Sequence, residues 1–189
     1  MKKTILLILL FLVITANQYA LDIDIGTFYG KRTVNDSEIR RVYGNGTVYF
    51  PYLTINLWKG IIIGGGYEGG YSKRGKIGLF GDSSSLSVTC TEFFIGYQFK
   101  TKWLSPYIKV GYDLFSYKQT IDSPYASGYK VDHKKGAASI SGGIKLYPLR
   151  FFFLAGEIKY VPLKVKPFEE NVDLGGLRYL IGAGFTFGF

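Results

Sequence analysis

The sequence predicts an all-β fold, an eight-stranded antiparallel up-and-down transmembrane β-barrel, and three observations carry that expectation. The stretch 179–189 alternates without a break, with Tyr179, Ile181, Ala183, Phe185, Phe187 and Phe189 on one face and Leu180, Gly182, Gly184, Thr186 and Gly188 on the other. A period of two is strand geometry. A soluble strand would meet water with charges on its second face, whereas a lipid-facing strand needs an apolar outside and a small or polar inside. Secondly, eight such alternating segments follow one another, joined in the order long, short, long, short, long, short, long. Thirdly, after residue 20 no apolar run approaches the roughly 20 residues a membrane helix needs, so strands must do the crossing.

The chain opens on Lys2 and Lys3 and an apolar run from Ile5 to Ile14, with small or polar residues to Ala20. That is the pattern of a secretory signal peptide, too short to span a bilayer. Residues 1–20 are therefore expected to be cleaved, leaving 21–189 as one barrel domain without a linker. The absence of a Cys directly after the signal disfavours a lipid anchor. The single Cys90 has no disulfide partner and is read as a small inward filler rather than a reactive thiol.

Strand one is expected over 22–31, with Ile23, Ile25, Thr27 and Tyr29 opposite Asp22, Asp24, Gly26 and Phe28. A long loop at 32–48, rich in Asn, Asp, Ser and Gly, separates it from strand two at 49–57, whose outward set is Tyr49, Pro51, Leu53, Ile55 and Leu57. Trp58, Lys59 and Gly60 make a tight turn. Strand three, 61–71, puts Ile61, Ile63, Gly65, Tyr67 and Tyr71 outward and Glu68 inward. After a loop at 72–85, strand four at 86–99 turns Thr91, Phe93, Ile95, Tyr97 and Phe99 out and Cys90, Glu92, Phe94 and Gln98 in. Strand five has Ile108, Val110, Tyr112 and Leu114 out, with Lys109 and Asp113 in. A third loop, 118–135, precedes strand six, with Ile140, Ile144 and Leu146 out and Ser139, Ser141 and Lys145 in. A turn at 148–150 leads to strand seven, with Phe152, Leu154, Ile158 and Tyr160 out and Glu157 and Lys159 in. The fourth loop, 162–173, leads to strand eight.

Aromatic residues sort by height. Tyr29, Tyr49, Tyr71, Tyr112, Tyr160 and Tyr179 fall near the loop end, and Trp58, Trp103, Phe99, Phe152 and Phe189 near the turn end, which reads as two interfacial girdles. The competing reading, a soluble lipocalin-like barrel with its aromatics inside, conflicts with the nearly charge-free apolar faces. The terminal strand ending in Phe185, Phe187 and Phe189 resembles the C-terminal assembly signal of bacterial outer-membrane β-barrel proteins. Over its mature length the chain resembles the small eight-stranded outer-membrane proteins of the opacity and virulence-associated type. That resemblance implies a bacterial outer-membrane location with both termini in the periplasm and recognition of the terminal phenylalanines by the barrel-assembly machinery. It also implies a structural or surface-interaction, adhesin-like role.

The inward charges are the candidate site. Asp22, Asp24, Glu68, Glu92, Asp113 and Glu157 face Lys109, Lys145, Lys159 and Arg178 in a lumen just wide enough for side chains to fill. Buried charges must pair. They form either an interior network that plugs the barrel or an ion path, and the plug is the preferred expectation. No cofactor or metal is expected, since no His/Cys cluster exists. A G-x-G-x-x-G match at Gly64, Gly66 and Gly69 lacks the helix that would have to follow it. A lipid A-modifying enzyme is the alternative function, and a narrow channel or apolar-solute conduit a further one. The only histidine, His133, is assigned to the third loop with no His-x-Ser arrangement, so no enzyme is expected.

Cations crowd the expected loops: Lys31, Arg32, Arg40 and Arg41, then Lys73, Arg74 and Lys76, then Lys118, Lys130, Lys134 and Lys135. Either they are plain solvated surface or they grip lipopolysaccharide phosphates or another polyanionic or host-surface ligand. The net charge of +9 does not by itself imply nucleic acid.

Overall fold

The computed structural model describes residues 21–78, 81–123, 126–165 and 172–188. The expected signal peptide at 1–20, the terminal Phe189 and the side chain of Trp58 lie outside the described residues. Strands β1 (Asp22–Arg32), β2 (Gly46–Asn56), β3 (Ile61–Ile77), β4 (Asp82–Gln98), β5 (Leu104–Ser123), β6 (Ala126–Leu149) and β7 (Phe152–Val161) are followed by a small hairpin, β8 (Lys164–Val165) and β9 (Val172–Asp173), and by β10 (Gly176–Gly188). One short helix, α1 (Ser37–Tyr43), sits between β1 and β2.

Eight strands close as β1-β10-β7-β6-β5-β4-β3-β2, every pair antiparallel. Closure is made by β1 against β10 over the full length of β1, from Asp22↔Gly188 to Arg32↔Arg178. A barrel has no free edge within this belt, which is what hydrocarbon demands of backbone N–H and C=O groups. The outward faces are apolar, with Ile181 71% exposed and Val110 54% exposed. Such exposure of large aliphatic side chains is unfavourable in water and expected against lipid. No helix of the described residues is long and apolar enough to cross a membrane.

The strands run further than their sequence suggests. Two expected loops, 72–85 and 118–135, are largely strand: β3 continues to Ile77, β4 begins at Asp82, β5 reaches Ser123 and β6 starts at Ala126. Their outward residues change character at one height, where Thr91↔Leu114↔Gly136 gives way to Thr89↔Ser116↔Lys134. Above that line the outward set is Ser72, Arg74 and Lys76, then Ser83, Ser85 and Ser87, then Lys118, Thr120 and Lys130. Polar, turn-prone composition had suggested loops, but the alternation is carried on an inner face of Tyr71, Leu86, Val88, Phe115, Tyr117 and Val131, all buried. The result is a four-stranded projection standing on the barrel, and His133 lies on β6 rather than in a loop.

The expected first loop holds α1. Asp36 caps it by accepting from the backbone N–H of Glu38 and of Ile39, both at 3.0 Å, and Gly44 ends it at φ 73°. From α1, Tyr43 enters the apolar cluster of the projection, together with Val34 after β1 and Leu163, Val165 and Leu174 around the β8–β9 hairpin. These side chains pack the part of the concave side nearest the barrel, and beside α1 an open pocket of about 600 Å³ remains, lined by Ile39, Val42, Lys76 and Gln119 among others.

Tyr71 corrects the expected girdle. Between Glu68 and Tyr71 the β3–β4 register shifts, and Gly70 takes φ 95°, a bulge that inserts one residue and flips the phase. Tyr71 therefore points inward, 1% exposed, and its hydroxyl donates to the carbonyl of Gly44 at 3.1 Å.

Candidate functional site

Alternation along each strand delivers the charges to the lumen, and the shear of the barrel stacks them. Asp24, Glu68, Glu92, Asp113 and Glu157 meet Arg32, Lys109, Lys145, Lys159 and Arg178, five acids against five bases, each buried. The count balances among the described residues.

Nearest the projection, Glu68 on β3 lies between two guanidiniums. Arg178 Nε on β10 donates to one carboxylate oxygen at 2.9 Å and Arg32 Nη1 on β1 approaches the other at 3.3 Å. Arg32 also donates to the carbonyl of Leu174 at 2.8 Å, tying the lumen to the chain between β9 and β10. Below it, Lys159 Nζ on β7 sits 2.7 Å from Asp113 and 3.0 Å from Glu92. Cys90 fills space beside them, its thiol donating to Asp113 at 3.4 Å.

The next level joins Lys109 to Glu157 at 2.7 Å, and the same carboxylate oxygen accepts from the Tyr107 hydroxyl at 2.7 Å. At the turn end, Asp24 accepts from Lys145, from Asn56 Nδ2 at 3.0 Å and from the Thr186 hydroxyl at 2.8 Å. Lys145 also donates to Gln98 at 3.2 Å. Asp22, expected among the inward acids, stands apart at the rim, half-buried and paired with Lys100.

Aromatic faces complete the column. Lys109 Nζ lies 4.4 Å from the Phe94 centroid, Lys145 5.0 Å from Phe153, and Lys159 5.5 Å from Phe50. These contacts add cation–π attraction where water is excluded. Between Phe28, Tyr52, Tyr107, Lys109 and Lys145 the void is about 10 Å³, room for about one water molecule. At the turn-end mouth a polar vestibule of about 320 Å³ opens, lined by Asp22, Asn56, Gln98, Lys100, Lys102 and Arg150 among others.

The sequence reading therefore named Glu68, Glu92, Lys109, Asp113, Lys145, Glu157, Lys159 and Arg178, and the structure brings all eight into this column. It missed Arg32, placed among the loop cations. The available signal was the even-numbered phase of Asp22, Asp24 and Phe28, which continues to Arg32. Tyr107 and Asn56 were also missed, since neutral polar side chains gave no charge to follow, and Gln98, assigned to the inward face, was not counted in the network. Of the expected loop cations, Lys118 pairs with Asp132 at 3.1 Å and Arg41 with Glu38 at 2.6 Å. His133 is exposed and stacks on Tyr117, ring centroids 5.7 Å apart. Phe185 and Phe187 face outward, about half exposed, opposite Ile25 and Ile23 of β1. No group of three metal-ligating side chains occurs among the described residues.

No protein-family model and no curated protein sequence matches this chain. Among solved structures, the outer membrane protein OprG from Pseudomonas aeruginosa matches with a TM-score of 0.63 at 13% identity, covering 89% of this chain and 96% of that one. Ail, the attachment invasion locus protein of Yersinia pestis, in complex with the heparin analogue sucrose octasulfate, matches at 0.55 and 14% identity over 89% and 98%. The N-terminal β-barrel domain of Pseudomonas aeruginosa OprF matches at 0.54 and 18% identity over 89% and 97%. The chain has the fold of the small eight-stranded outer-membrane barrels.

Proposed function

We propose that this chain is an integral outer-membrane protein with a plugged barrel, whose role is surface interaction through the projection and loops rather than transport or catalysis. The observation that carries the reading is the balanced lumen: five acids and five bases, buried and paired level by level from Glu68 to Asp24. A solute path would need a continuous wet cross-section, whereas beside Lys109 the lumen narrows to a void of about 10 Å³, room for about one water molecule. The exposed stacking of His133 on Tyr117 favours the non-enzymatic role over lipid A hydrolysis.

On this reading residues 1–20 are the cleaved signal, 21–189 the barrel, and both termini periplasmic, with Phe185, Phe187 and Phe189 presented to the assembly machinery. The projection then stands outside the cell. Its exposed Arg74, Lys76, Lys130, Lys134 and Lys135, with Arg40 on the helix packed against β3, offer an anion-binding surface for lipopolysaccharide phosphates or a polyanionic host ligand. That a barrel of this fold was solved with a heparin analogue supports the ligand class.

The test pairs two measurements on the purified, detergent-folded protein. Planar bilayers should show no steady conductance, and a sulfated-polysaccharide resin should retain the protein at low salt and release it as salt rises. Large stable channels would overturn the plug, and passage through the resin at low ionic strength would overturn the anion-binding surface.

A further inference from the structure

The charge balance of the lumen breaks at its turn-end mouth. Asp24 is matched by Lys145, and among the charged groups lining the vestibule beside it Asp22 is matched by Lys100. Lys102 and Arg150 line the same vestibule, are exposed, and have no acidic partner among the described residues. Two turns, one between β4 and β5 and one between β6 and β7, thus direct unmatched positive charge onto one cavity. Its volume of about 320 Å³ is in the range of small-molecule sites.

The wall of that cavity carries a second unmatched group of the opposite kind. Asn56, 1% exposed at the end of β2, donates from Nδ2 to the Asp24 carboxylate at 3.0 Å and to the Asp22 carbonyl at 3.4 Å. Both contacts are acceptors, so turning the amide over would set oxygen against oxygen, and its orientation is fixed. Asn56 Oδ1 is then a buried acceptor without a donor among the described residues. The neighbouring polar side chains are already occupied: Gln98 with Tyr147 and Lys145, Ser105 with the Thr101 N–H, and Thr186 with Asp24. A buried acceptor left unpaired is costly, and a ligand donor reaching it removes that cost. The cavity therefore asks for an anion at its rim and a hydrogen-bond donor deeper in, on one molecule.

The surroundings of the mouth say which molecule. Lys102 precedes exposed Trp103, and Arg150 lies between exposed Leu149 and Phe151, so both cations stand in the ring where apolar side chains reach the level of lipid headgroups. An ammonium headgroup would bring a donor but would face Lys100, Lys102 and Arg150. A phosphodiester that ends in hydroxyls brings the donor together with a net negative charge.

We propose that the turn-end vestibule binds the headgroup of an anionic phospholipid, with the phosphate held by Lys102 and Arg150 and a hydroxyl of the polyol donating to Asn56 Oδ1. This goes beyond the surface-interaction reading, because it concerns the opposite end of the barrel and does not depend on what the projection binds.

The experiment uses the purified full barrel in nonionic detergent micelles, with bound lipid quantified by native mass spectrometry. Three lipids with the same acyl chains are compared. Phosphatidylglycerol carries the phosphate and a free glycerol, phosphatidylmethanol keeps the charge without a hydroxyl, and phosphatidylethanolamine keeps a donor without the net charge. Phosphatidylglycerol should bind about fivefold or more tighter than either of the others, the order of one hydrogen bond or one charge contact. The Lys102→Gln/Arg150→Gln double variant, checked for folding by heat-modifiable gel mobility, should lose about tenfold in phosphatidylglycerol affinity.

Equal binding of phosphatidylmethanol and phosphatidylglycerol would overturn the vestibule site and leave charge attraction at the rim only. Phosphatidylethanolamine binding as tightly as phosphatidylglycerol would overturn the anionic headgroup. Undiminished binding by the double variant would place the lipid elsewhere on the barrel and overturn the proposal too. Free glycerol 1-phosphate serves as the last arm: displacement of phosphatidylglycerol at equal concentration would mean that the mouth takes a soluble polyol phosphate, which overturns the lipid as its source.

Discussion

The carboxylate of Glu68 is shared by two arginines, and the pairing with Arg178 is the tighter one, at 2.9 Å against 3.3 Å for Arg32. Three charged groups on β1, β3 and β10 thus carry a net positive charge in a site closed to water. Removing Arg178 leaves a neutral Arg32–Glu68 pair, whereas removing Glu68 leaves two buried guanidiniums facing each other. Breaking a buried pair by removing one partner costs about 3–5 kcal/mol. Glu68→Gln is therefore expected to destabilise the barrel by about that amount and Arg178→Ala by less, measured by urea unfolding of the protein folded into lipid vesicles. The reverse order would refute the shared-carboxylate arrangement.

The lipid face gives a second prediction. Ile144 and Val110 are outward near mid-belt, 46% and 54% exposed, while Ser141 is 5% exposed in the lumen. An arginine on the lipid face near the bilayer midplane costs about 2–4 kcal/mol. Ile144→Arg and Val110→Arg should each lose that much in the same folding titration. Negligible losses at both positions would mean that the facing is wrong.

Glycines on the two faces should respond oppositely to the same added methyl. A Cβ on Gly66 would lie 2.5 Å from Phe50 Cζ and 2.8 Å from the Pro51 carbonyl oxygen, so the lumen rings rely on its absence. At Gly156, which shares the outward face of Leu154 and Ile158, nothing lies within 4 Å. Overpacking typically costs about 1–3 kcal/mol. Gly66→Ala should fall in that range and Gly156→Ala should be nearly neutral, compared by thermal unfolding in detergent.

The belt was legible in the sequence because two solvents, lipid outside and packed charge inside, impose a strict period of two on each strand. Glu92, Lys109 and Glu157 could be assigned to the lumen on that basis alone. Tyr71 could not, because the bulge after Glu68 shifts the phase by one residue, and a Gly-Gly pair does not announce its φ values. Arg32 was lost to a loop boundary drawn one residue too early. The projection was misread for a different reason: above the belt the outer face meets water, so serines and lysines replace the apolar set and imitate loop composition. The buried Val131 between exposed Lys130 and Asp132, inside the expected third loop, was the remaining sign that the strand continued.

The last prediction concerns closure of the barrel by β10. Its register against β1 places Phe185 opposite Ile25 and Phe187 opposite Ile23, and Phe185 packs edge-on against Phe152 of β7 at 5.6 Å between centroids. Removing the end of β10 would expose backbone N–H and C=O groups of β1 at the rim, each costing several kcal/mol if it met hydrocarbon. It would also remove the aromatic surface proposed above to be presented to the assembly machinery. Truncation of Phe187, Gly188 and Phe189 together should leave export across the inner membrane intact, yet sharply reduce the folded, heat-modifiable form in fractionated outer membranes. Thr186→Ser retains the hydroxyl that donates to Asp24 at 2.8 Å and should leave that form unchanged. A Phe187→Ala, Phe189→Ala double substitution separates the two causes, since it keeps the backbone ladder and deletes only the rings. If this variant folds normally from urea into lipid vesicles but is depleted from cell membranes, the phenylalanines act in assembly. If it fails in both, they act in packing, and undiminished folded protein in both settings would refute an essential terminal signal.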